Sequence, residues 1–263
     1  MKDSAIAKDE INVLEKRKPI IEINKLQMSF GNQIVLQDVN LQLFEGENLV
    51  ILGKSGSGKS VLIKCIVGLL TADSGTITVF GVNVATLSRK GLNELRQKLG
   101  FLFQGGALYD SMSVKQNLEF PLQRIKRNQT AAENDAKIKE ALENVGLTDS
   151  LEKMPSQLSG GMCKRISLAR TIVVNPLIMF YDEPTTGLDP ITSKEISLLI
   201  DNVQKISKTS SIIITHDIEC ARATADRVVM LNDGQIYMEG TLAEFEMSED
   251  PLIKGFFQSS VVR

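Results

Sequence analysis

The fold of this chain is decided by the stretch Asn48-Leu49-Val50-Ile51-Leu52-Gly53-Lys54-Ser55-Gly56-Ser57-Gly58-Lys59-Ser60. Its first part is typical of a buried strand, and its last part fits the pattern G-x-x-x-x-G-K-[ST]. The segment Ser60–Leu70 then reads as a helix. A glycine-rich loop between a strand and a helix holds phosphate groups with its backbone N–H groups and with the helix N-terminus. The stretch therefore predicts a nucleotide-binding α/β protein.

Two side chains of this loop have specific predicted roles. Lys59 should reach the β- and γ-phosphates of the nucleotide, and the hydroxyl group of Ser60 should ligate Mg²⁺. The other positions are expected to hold the phosphates mainly through the backbone, at Gly53, Ser55, Gly56, Ser57 and Gly58.

The composition is that of an ordinary globular protein, with 263 residues, 43% of them hydrophobic, and a formal net charge of -2. This charge gives no electrostatic footprint for nucleic acid, so no nucleic-acid partner is expected. No apolar run reaches the roughly 18 residues of a membrane-spanning helix, and the segment after Met1 lacks the apolar core of a signal peptide. A cytosolic protein is therefore expected. The three cysteines are widely spaced and are expected to be small buried side chains, at Cys65, Cys163 and Cys220.

The chain pattern predicts one domain with an insertion. Residues 1–17 are polar and without period, as in a flexible lead. From Pro19 to Leu43 the pattern is strand-like, whereas residues from about 105 to 170 look helical. Strands and helices alternate afterwards, which favours a mostly parallel sheet. The last residues, 247–263, are predicted to pack on their own domain, with a contact to a neighbouring subunit as the alternative.

Two carboxylates follow the apolar strand predicted at Leu177–Tyr181. The end of such a strand places side chains at the carboxyl edge of a parallel sheet, where ligands bind. Asp182 is therefore expected to hold Mg²⁺, through water, and Glu183 to polarise the attacking water as a general base. His216 and Gln104 also follow apolar strands. His216 can donate a hydrogen bond to a γ-phosphate, and Gln104 can sense Mg²⁺ or the attacking water.

A second set of phosphate donors is predicted at Leu158-Ser159-Gly160-Gly161-Met162. Two glycines after a serine let backbone N–H groups approach a phosphate closely. Because the chain already has one phosphate loop, this set is expected to serve the nucleotide that another subunit holds.

These motifs together resemble those of an ABC transporter ATPase subunit, in order and in spacing, from about Ile20 to about Gly240. The resemblance implies a P-loop NTPase (RecA-like) core with an N-terminal antiparallel β sub-domain and an inserted α-helical sub-domain, over residues 18–246. It implies ATP and Mg²⁺ as cofactors and a second copy of the chain as partner. It also implies roles in nucleotide binding for Phe30, which would stack on adenine, for Asp189, which would act across the dimer, and for Ser159, Gly160 and Gly161.

A finer resemblance concerns the segment from Leu102 to Val114 and the methionine at Met162. Both are similar to the Mla-type phospholipid transport ATPases, a family that implies phospholipid as the transported substrate. In such proteins the segment after Gln104 meets an integral membrane permease, and an MCE-type lipid-binding subunit belongs to the assembly. The expected location is the cytoplasmic face of a bacterial inner membrane.

Two other functions remain open from the sequence. The chain could be the ATPase of a polar-solute importer or of a lipoprotein-release system, which share every catalytic motif. It could also be a soluble ABC ATPase without a permease, although the spacing of Lys59 and Asp182 leaves no room for the long coiled coil of chromosome-type members. Complete motifs favour a homodimer.

Overall fold

The computed structural model describes residues 18–125 and 129–259. The predicted flexible lead at residues 1–17 and the last residues of the tail, 260–263, lie outside this part. Among the described residues, no helix is both long and apolar enough to cross a membrane.

The first sheet is antiparallel and has the strand order β2-β1-β4-β5. Its strands are β1 (Pro19–Phe30), β2 (Gln33–Phe44), β4 (Ser74–Val79) and β5 (Val82–Asn83). The strand-like pattern predicted from Pro19 to Leu43 is confirmed, and it corresponds to two strands of 12 residues each, β1 and β2. Shifts of register between them bend the hairpin instead of ending it.

The second sheet has the strand order β10-β9-β3-β8-β7-β6. It consists of β3 (Asn48–Leu52), β6 (Leu99–Leu102), β7 (Ile178–Asp182), β8 (Ser210–Thr215), β9 (Arg227–Asn232) and β10 (Gln235–Gly240). The pairs of the inner strands are parallel, and only the pair β9–β10 is antiparallel. Its turn has positive φ at Asp233 and Gly234, as a tight hairpin turn with the sequence Asp-Gly requires. The carboxyl ends of β3, β6, β7 and β8 therefore share one edge.

The helices follow the strands in the predicted alternation. They are α1 (Lys59–Ile66), α2 (Arg89–Arg96), α3 (Val114–Ile125), α4 (Ala131–Asn144), α5 (Gly160–Ile172), α6 (Pro190–Ser207), α7 (Ile218–Thr224), α8 (Leu242–Glu246) and α9 (Pro251–Ser259). Helix α4 begins with a capping box between Thr130 and Glu133, and Gly146 follows its end with a φ of 68°.

Two parts of the helical prediction are wrong. Residues 145–159 form turns and two short 3₁₀ helices, Thr148–Ser150 and Pro155–Gln157. Residues 105–113 form a loop and not a helix. Gly106 and Ala107 have positive φ, which interrupts a right-handed helix. The buried side chain of Asn117 accepts from the amide of Tyr109 and donates to the carbonyl groups of Tyr109, Met112 and Ser113. The side chain of Asn117 on α3 thus forms hydrogen bonds with backbone groups of the loop, which in a helix would bond to each other.

Buried apolar side chains form two clusters, which contain alternating residues of the inner strands. Leu49 and Ile51 belong to the cluster that also contains α1 and the antiparallel sheet, whereas Val50 and Leu52 belong to the cluster that contains α3 to α7. The tail packs on its own domain through the buried side chains of Ile253 and Phe256, as predicted.

Candidate nucleotide site

The glycine-rich loop connects β3 to α1 at the shared carboxyl edge. A Cβ atom at Gly53 would lie 2.3 Å from the carbonyl oxygen of Leu231, and one at Gly58 would lie 2.8 Å from that of Val35. Gly58 also has a φ of 103° where the helix begins. Both positions therefore require glycine, and the backbone approaches its neighbours and any phosphate closely.

Lys59 is a buried cation at the base of this loop, with only 7% of its surface exposed. Its ammonium group donates hydrogen bonds to the carbonyl oxygens of Gly53 (2.6 Å) and Lys54 (2.8 Å). Burial lowers its pKa, and the negative charges of Glu183 and Asp182 act in the opposite direction. The side chain is thus a partly desolvated positive charge held against the phosphate loop, where it can bind a phosphate strongly.

The residues expected to ligate Mg²⁺ lie together. The hydroxyl oxygen of Ser60 is 3.4 Å and 3.5 Å from the two carboxylate oxygens of Asp182. Burial raises the pKa of Asp182, as does the neighbouring charge of Glu183, so a bound cation would favour the ionised form of this carboxylate. Gln104 lines the same cleft.

This donor set fits Mg²⁺, because the ion binds oxygen ligands and usually takes one or two carboxylates together with phosphates and water. In the described part of the chain no group of three or more His, Cys, Asp or Glu residues could form a protein-only metal site. The residues present therefore suit a metal that arrives with a nucleotide.

The carboxylate of Glu183 is held by two side chains. Its Oε2 atom is 2.8 Å from Nδ1 of His216 and accepts a hydrogen bond of 3.2 Å from the hydroxyl group of Thr186. Glu183 itself has a φ of 50°, in the left-handed region, and its amide donates to the carbonyl of Ile214 on β8. A residue other than glycine in this region is strained and persists only where its surroundings fix it. Glu183 is thus fixed in both backbone and side chain.

A second hydrogen bond connects the same two strand ends, and the sequence did not predict it. The hydroxyl group of Thr185, after β7, donates a 2.9 Å hydrogen bond to the carboxylate of Asp217, after β8. The other carboxylate oxygen of Asp217 caps α7 by accepting from the amides of Glu219 and Cys220. The only signal in the sequence is an aspartate before a helical pattern, which indicates the cap but not its partner.

These residues line one cleft of about 1710 Å³. From the predicted site, the lining includes Ser55, Gly56, Gly58, Lys59, Ser60, Gln104, Asp182, Glu183 and His216, but not Gly53, Ser57 or Asp189. Phe30, predicted to stack on adenine, does not line it. That side chain is 49% exposed at the end of β1, and Val35 of the neighbouring strand lines the cleft instead.

The second donor set lies elsewhere in the fold. Ser159 caps α5, and its hydroxyl oxygen accepts a 3.2 Å hydrogen bond from the amide of Met162. Ser159, Gly160 and Gly161 are absent from the lining of the cleft. A Cβ atom at Gly161 would lie 2.6 Å from Cγ2 of Thr192, so a side chain at this position would displace Thr192.

Asp189 connects to the same place through Thr192. It caps α6 by accepting from the amides of Ile191 (3.1 Å) and Thr192 (3.0 Å), and it accepts a 2.6 Å hydrogen bond from the Thr192 hydroxyl group. The structure therefore brings together the residues of the phosphate loop and the acidic strand end, and separately the start of α5 and the start of α6.

A phosphate loop, an acidic strand end and a histidine at one edge of a parallel sheet define a nucleotide-binding protein of the P-loop class. A family model described as ABC transporter matches residues 36–186, which is more than half of the chain. The chain belongs to the ABC transporter family of ATPases.

Several curated relatives support this assignment. The chain is 38% identical over 236 residues to "Probable ribonucleotide transport ATP-binding protein mkl" of Mycobacterium tuberculosis strain H37Rv, covering 90% of this chain and 66% of that relative. It is 37% identical to the methionine import ATP-binding protein MetN of Coxiella burnetii, again over 66% of the relative. It is 35% identical to the intermembrane phospholipid transport system ATP-binding protein MlaF of Haemophilus influenzae, over 91% of this chain and 90% of that protein.

Solved structures agree with the fold. The chain is similar to the ATP-binding cassette MJ0796, described as a dimer in a post-hydrolysis state bound to ADP and Pi, with a TM-score of 0.76, 30% identity and coverage of 84% of this chain and 98% of the other. It is also similar to cbiO1 of Clostridium perfringens, part of the ABC transporter complex cbiONQ, with a TM-score of 0.80, 29% identity and coverage of 93% of both chains. The predicted fold class is thereby confirmed.

Proposed function

We propose that this chain is the ATP-hydrolysing subunit of a membrane ABC transporter, and that two copies close around two ATP molecules. One observation carries the proposal. The phosphate loop and the acidic strand end share a cleft, whereas Ser159 to Gly161 lie outside it at the start of α5. Two copies arranged head to tail would bring the second donor set of each chain to the nucleotide of the other. The cassette MJ0796, which is described as dimeric, supports the formation of a dimer.

The residues of the cleft then have separate roles. Mg²⁺, held by Ser60 and Asp182 near Gln104, would neutralise phosphate charge when bound. Glu183 accepts the proton of the attacking water. Since His216 and Thr186 both bind its Oε2 atom, Oε1 is the oxygen that we assign to the water. Lys59 binds the β- and γ-phosphates.

The loop after Gln104 is the part that we assign to a permease partner. Tyr109 in this loop and Phe103 just before Gln104 are large aromatic side chains with roughly half of their surface exposed. The loop is fixed from inside, because Arg170 donates to the carbonyl oxygen of Ala107 (2.8 Å) and lies over the ring of Tyr109. An ordered loop that exposes aromatic side chains suits a protein contact.

For the substrate, we infer phospholipid, carried with an MCE-type lipid-binding partner at the cytoplasmic face of a bacterial inner membrane. Support comes from the segment around Gln104, from Met162, and from the MlaF relative, which the chain matches over 90% of its length. The MetN relative, at 37% identity, favours import of a polar solute as a second candidate.

A pull-down tests these proposals. Tagged Glu183→Gln protein with ATP and Mg²⁺ is used to capture partners from detergent-solubilised native membranes, and proteins and lipids are identified by mass spectrometry. A permease with a lipid-binding subunit and bound phospholipid supports the full proposal. A permease with a solute- or lipoprotein-handling partner rejects the lipid substrate. Capture of soluble partners alone rejects the transport function.

A further inference from the structure

Lys164 is a second buried cation near the nucleotide site, and the catalytic roles described above do not use it. It lies on α5, on the turn after Gly160, and only 7% of its surface is exposed. An ammonium group without a partner is costly to bury. The position of Lys164 therefore depends on the groups that it contacts.

Its contact is the backbone at Gln104. The ammonium group of Lys164 donates a hydrogen bond to the carbonyl oxygen of Gln104, 60 residues earlier in the chain. The carboxylate of Asp182 also influences this group, favouring its charged form against the effect of burial. Lys164 thus connects α5 with the part of the cleft where Gln104 and Asp182 lie.

The same helix holds the next residues of the loop as well. Arg170 donates to the carbonyl oxygens of Gly106 (3.3 Å) and Ala107 (2.8 Å). A Cβ atom at Gly106 would lie 2.8 Å from the hydroxyl oxygen of Ser167. Residues 104–107 are therefore bound along α5, and Lys164 makes its contact at Gln104, which lines the cleft.

We propose that Lys164 is a positioning residue, which fastens the backbone of Gln104 to the helix that begins with Ser159–Gly161. The inference rests on the proposed ATP-driven dimer. In that dimer the side chain of Gln104 faces the chain's own nucleotide, whereas the start of α5 faces the nucleotide of the partner. Through Lys164, a displacement of Gln104 moves the start of α5 with it, so that the two nucleotide sites are coupled.

Three variants test this role. Lys164→Met removes the donor and the charge while keeping a long side chain. Lys164→Arg keeps both. Arg165→Met is the matched control, since it removes a cation from the next position of α5, where Arg165 is paired with Glu195 (2.6 Å) and not with the loop. If Lys164→Met does not fold, Lys164→Leu replaces it as the variant without a donor or a charge.

Two measurements are made on each variant. The first is hydrogen exchange of the backbone amides of residues 104–107 in nucleotide-free protein, which reports on the contact without any catalysis. The second is steady-state ATP hydrolysis, analysed as kcat and KM. A shift of about 1 Å in a positioned group can lower a rate by about a hundredfold, so we expect kcat to fall by about tenfold to a hundredfold in Lys164→Met with KM nearly unchanged.

The expected pattern is faster exchange at residues 104–107 in Lys164→Met, recovery of both exchange and kcat in Lys164→Arg, and normal exchange there in Arg165→Met. Unchanged exchange in Lys164→Met, or equal losses of kcat in Lys164→Met and Arg165→Met, would overturn the inference. Absence of hydrolysis by the unmodified protein would instead count against the proposed function. The hydrogen-exchange data would still test the contact between Lys164 and Gln104.

Discussion

The two regions that we propose bind phosphate are built in opposite ways. The phosphate loop lies at the edge of a parallel sheet, where Lys59 is buried and Glu183 is held by His216. The region Ser159–Gly161 lies at the start of a helix, and its residues are exposed or half-buried. The first region contains charged groups that need a ligand of opposite charge, whereas the second consists of small residues and backbone groups.

This difference separates the groups that one chain supplies for its own nucleotide from those that we expect the partner chain to supply. Helix α5 has no acidic residue in its first turn, so its N-terminus keeps the partial positive charge that attracts an anion. The cleft is lined by the phosphate loop, the proposed base Glu183 and the proposed Mg²⁺ ligands Ser60 and Asp182, and no residue of the first turn of α5 lines it. We therefore expect changes in the cleft to affect chemistry or nucleotide binding, and changes at the start of α5 to affect the dimer.

The largest effect is expected from Glu183→Gln, which removes the base from the cleft. Loss of a general base lowers a rate by about 10²–10⁴-fold, whereas ATP binding and dimer closure do not need the proton transfer. The variant should therefore form a stable dimer with ATP and Mg²⁺, seen as a doubled mass in light scattering. Normal hydrolysis by Glu183→Gln would show that the base has been misassigned.

The control for this variant is Glu140→Gln, which makes the same chemical change on an exposed position of α4. It should hydrolyse ATP at the normal rate and should not accumulate a dimer. A dimer of Glu140→Gln with ATP would mean that loss of negative charge alone drives association.

The next effect separates the two regions directly. Lys59→Ala removes a charge-assisted bond to phosphate, worth about 1.5–3 kcal/mol, and should weaken ATP binding by about tenfold to a hundredfold. Gly161→Ala places a Cβ atom 2.6 Å from Thr192 and should leave ATP binding to the monomer normal while preventing productive closure. Each variant alone should hydrolyse ATP slowly.

Mixing these two variants sharpens the test. A mixed dimer combines the intact phosphate loop of Gly161→Ala with the intact α5 start of Lys59→Ala, so one complete site is restored. Hydrolysis should therefore rise on mixing and be greatest at equal amounts. No gain on mixing, with mixed dimers demonstrated by mass spectrometry, would contradict a site shared between chains.

The local parts of this architecture could be predicted from the sequence. The strand Asn48–Leu52 has the predicted boundaries, because five consecutive residues are buried and a glycine-rich loop ends the run. The acidic strand end and His216 were also placed correctly at one edge, since parallel strands of one sheet end together.

The remaining parts depend on contacts between distant residues. The loop at residues 105–113 was predicted as helical because its partners, Asn117 and Arg170, are not visible as a local pattern. The hydrogen bond of Thr185 with Asp217 spans 32 residues, and that of Lys164 with Gln104 spans 60. Periodicity reports which face of an element is buried, but not which polar group meets it there.

A smaller effect is expected from Thr185→Val, which breaks the second tie between the two strand ends of the cleft. Thr185 is buried, and leaving the Asp217 carboxylate without this donor should lower the free energy of unfolding by about 1–3 kcal/mol. Denaturant unfolding measures the change. Thr76→Val, an exposed position on β4, is the control and should change the same free energy by less than about 0.5 kcal/mol. Equal effects of the two substitutions would show that the tie does not stabilise the fold.

The smallest effect concerns the reactivity of the three cysteines, whose modification reports on the two regions separately. Burial raises the pKa of the Cys65 thiol, on the helix behind the phosphate loop, to about 11, and that of Cys220 to about 12. Cys163 lies in the first turn of α5 and is partly exposed; burial raises its pKa as well. Because the thiolate is the reactive form, iodoacetamide at pH 8 should modify Cys163 first in the folded protein and all three cysteines after denaturation.

The same labelling reports on closure of the dimer. In Glu183→Gln protein, ATP and Mg²⁺ should slow the modification of Cys163, because the start of α5 becomes covered by the nucleotide of the partner. The rates at Cys65 and Cys220 should remain low with and without ATP, since both thiols are already buried. If ATP leaves the rate at Cys163 unchanged while light scattering shows a dimer, the two chains associate through a surface other than the start of α5. Peptide mapping by mass spectrometry distinguishes these results, since it follows each cysteine separately.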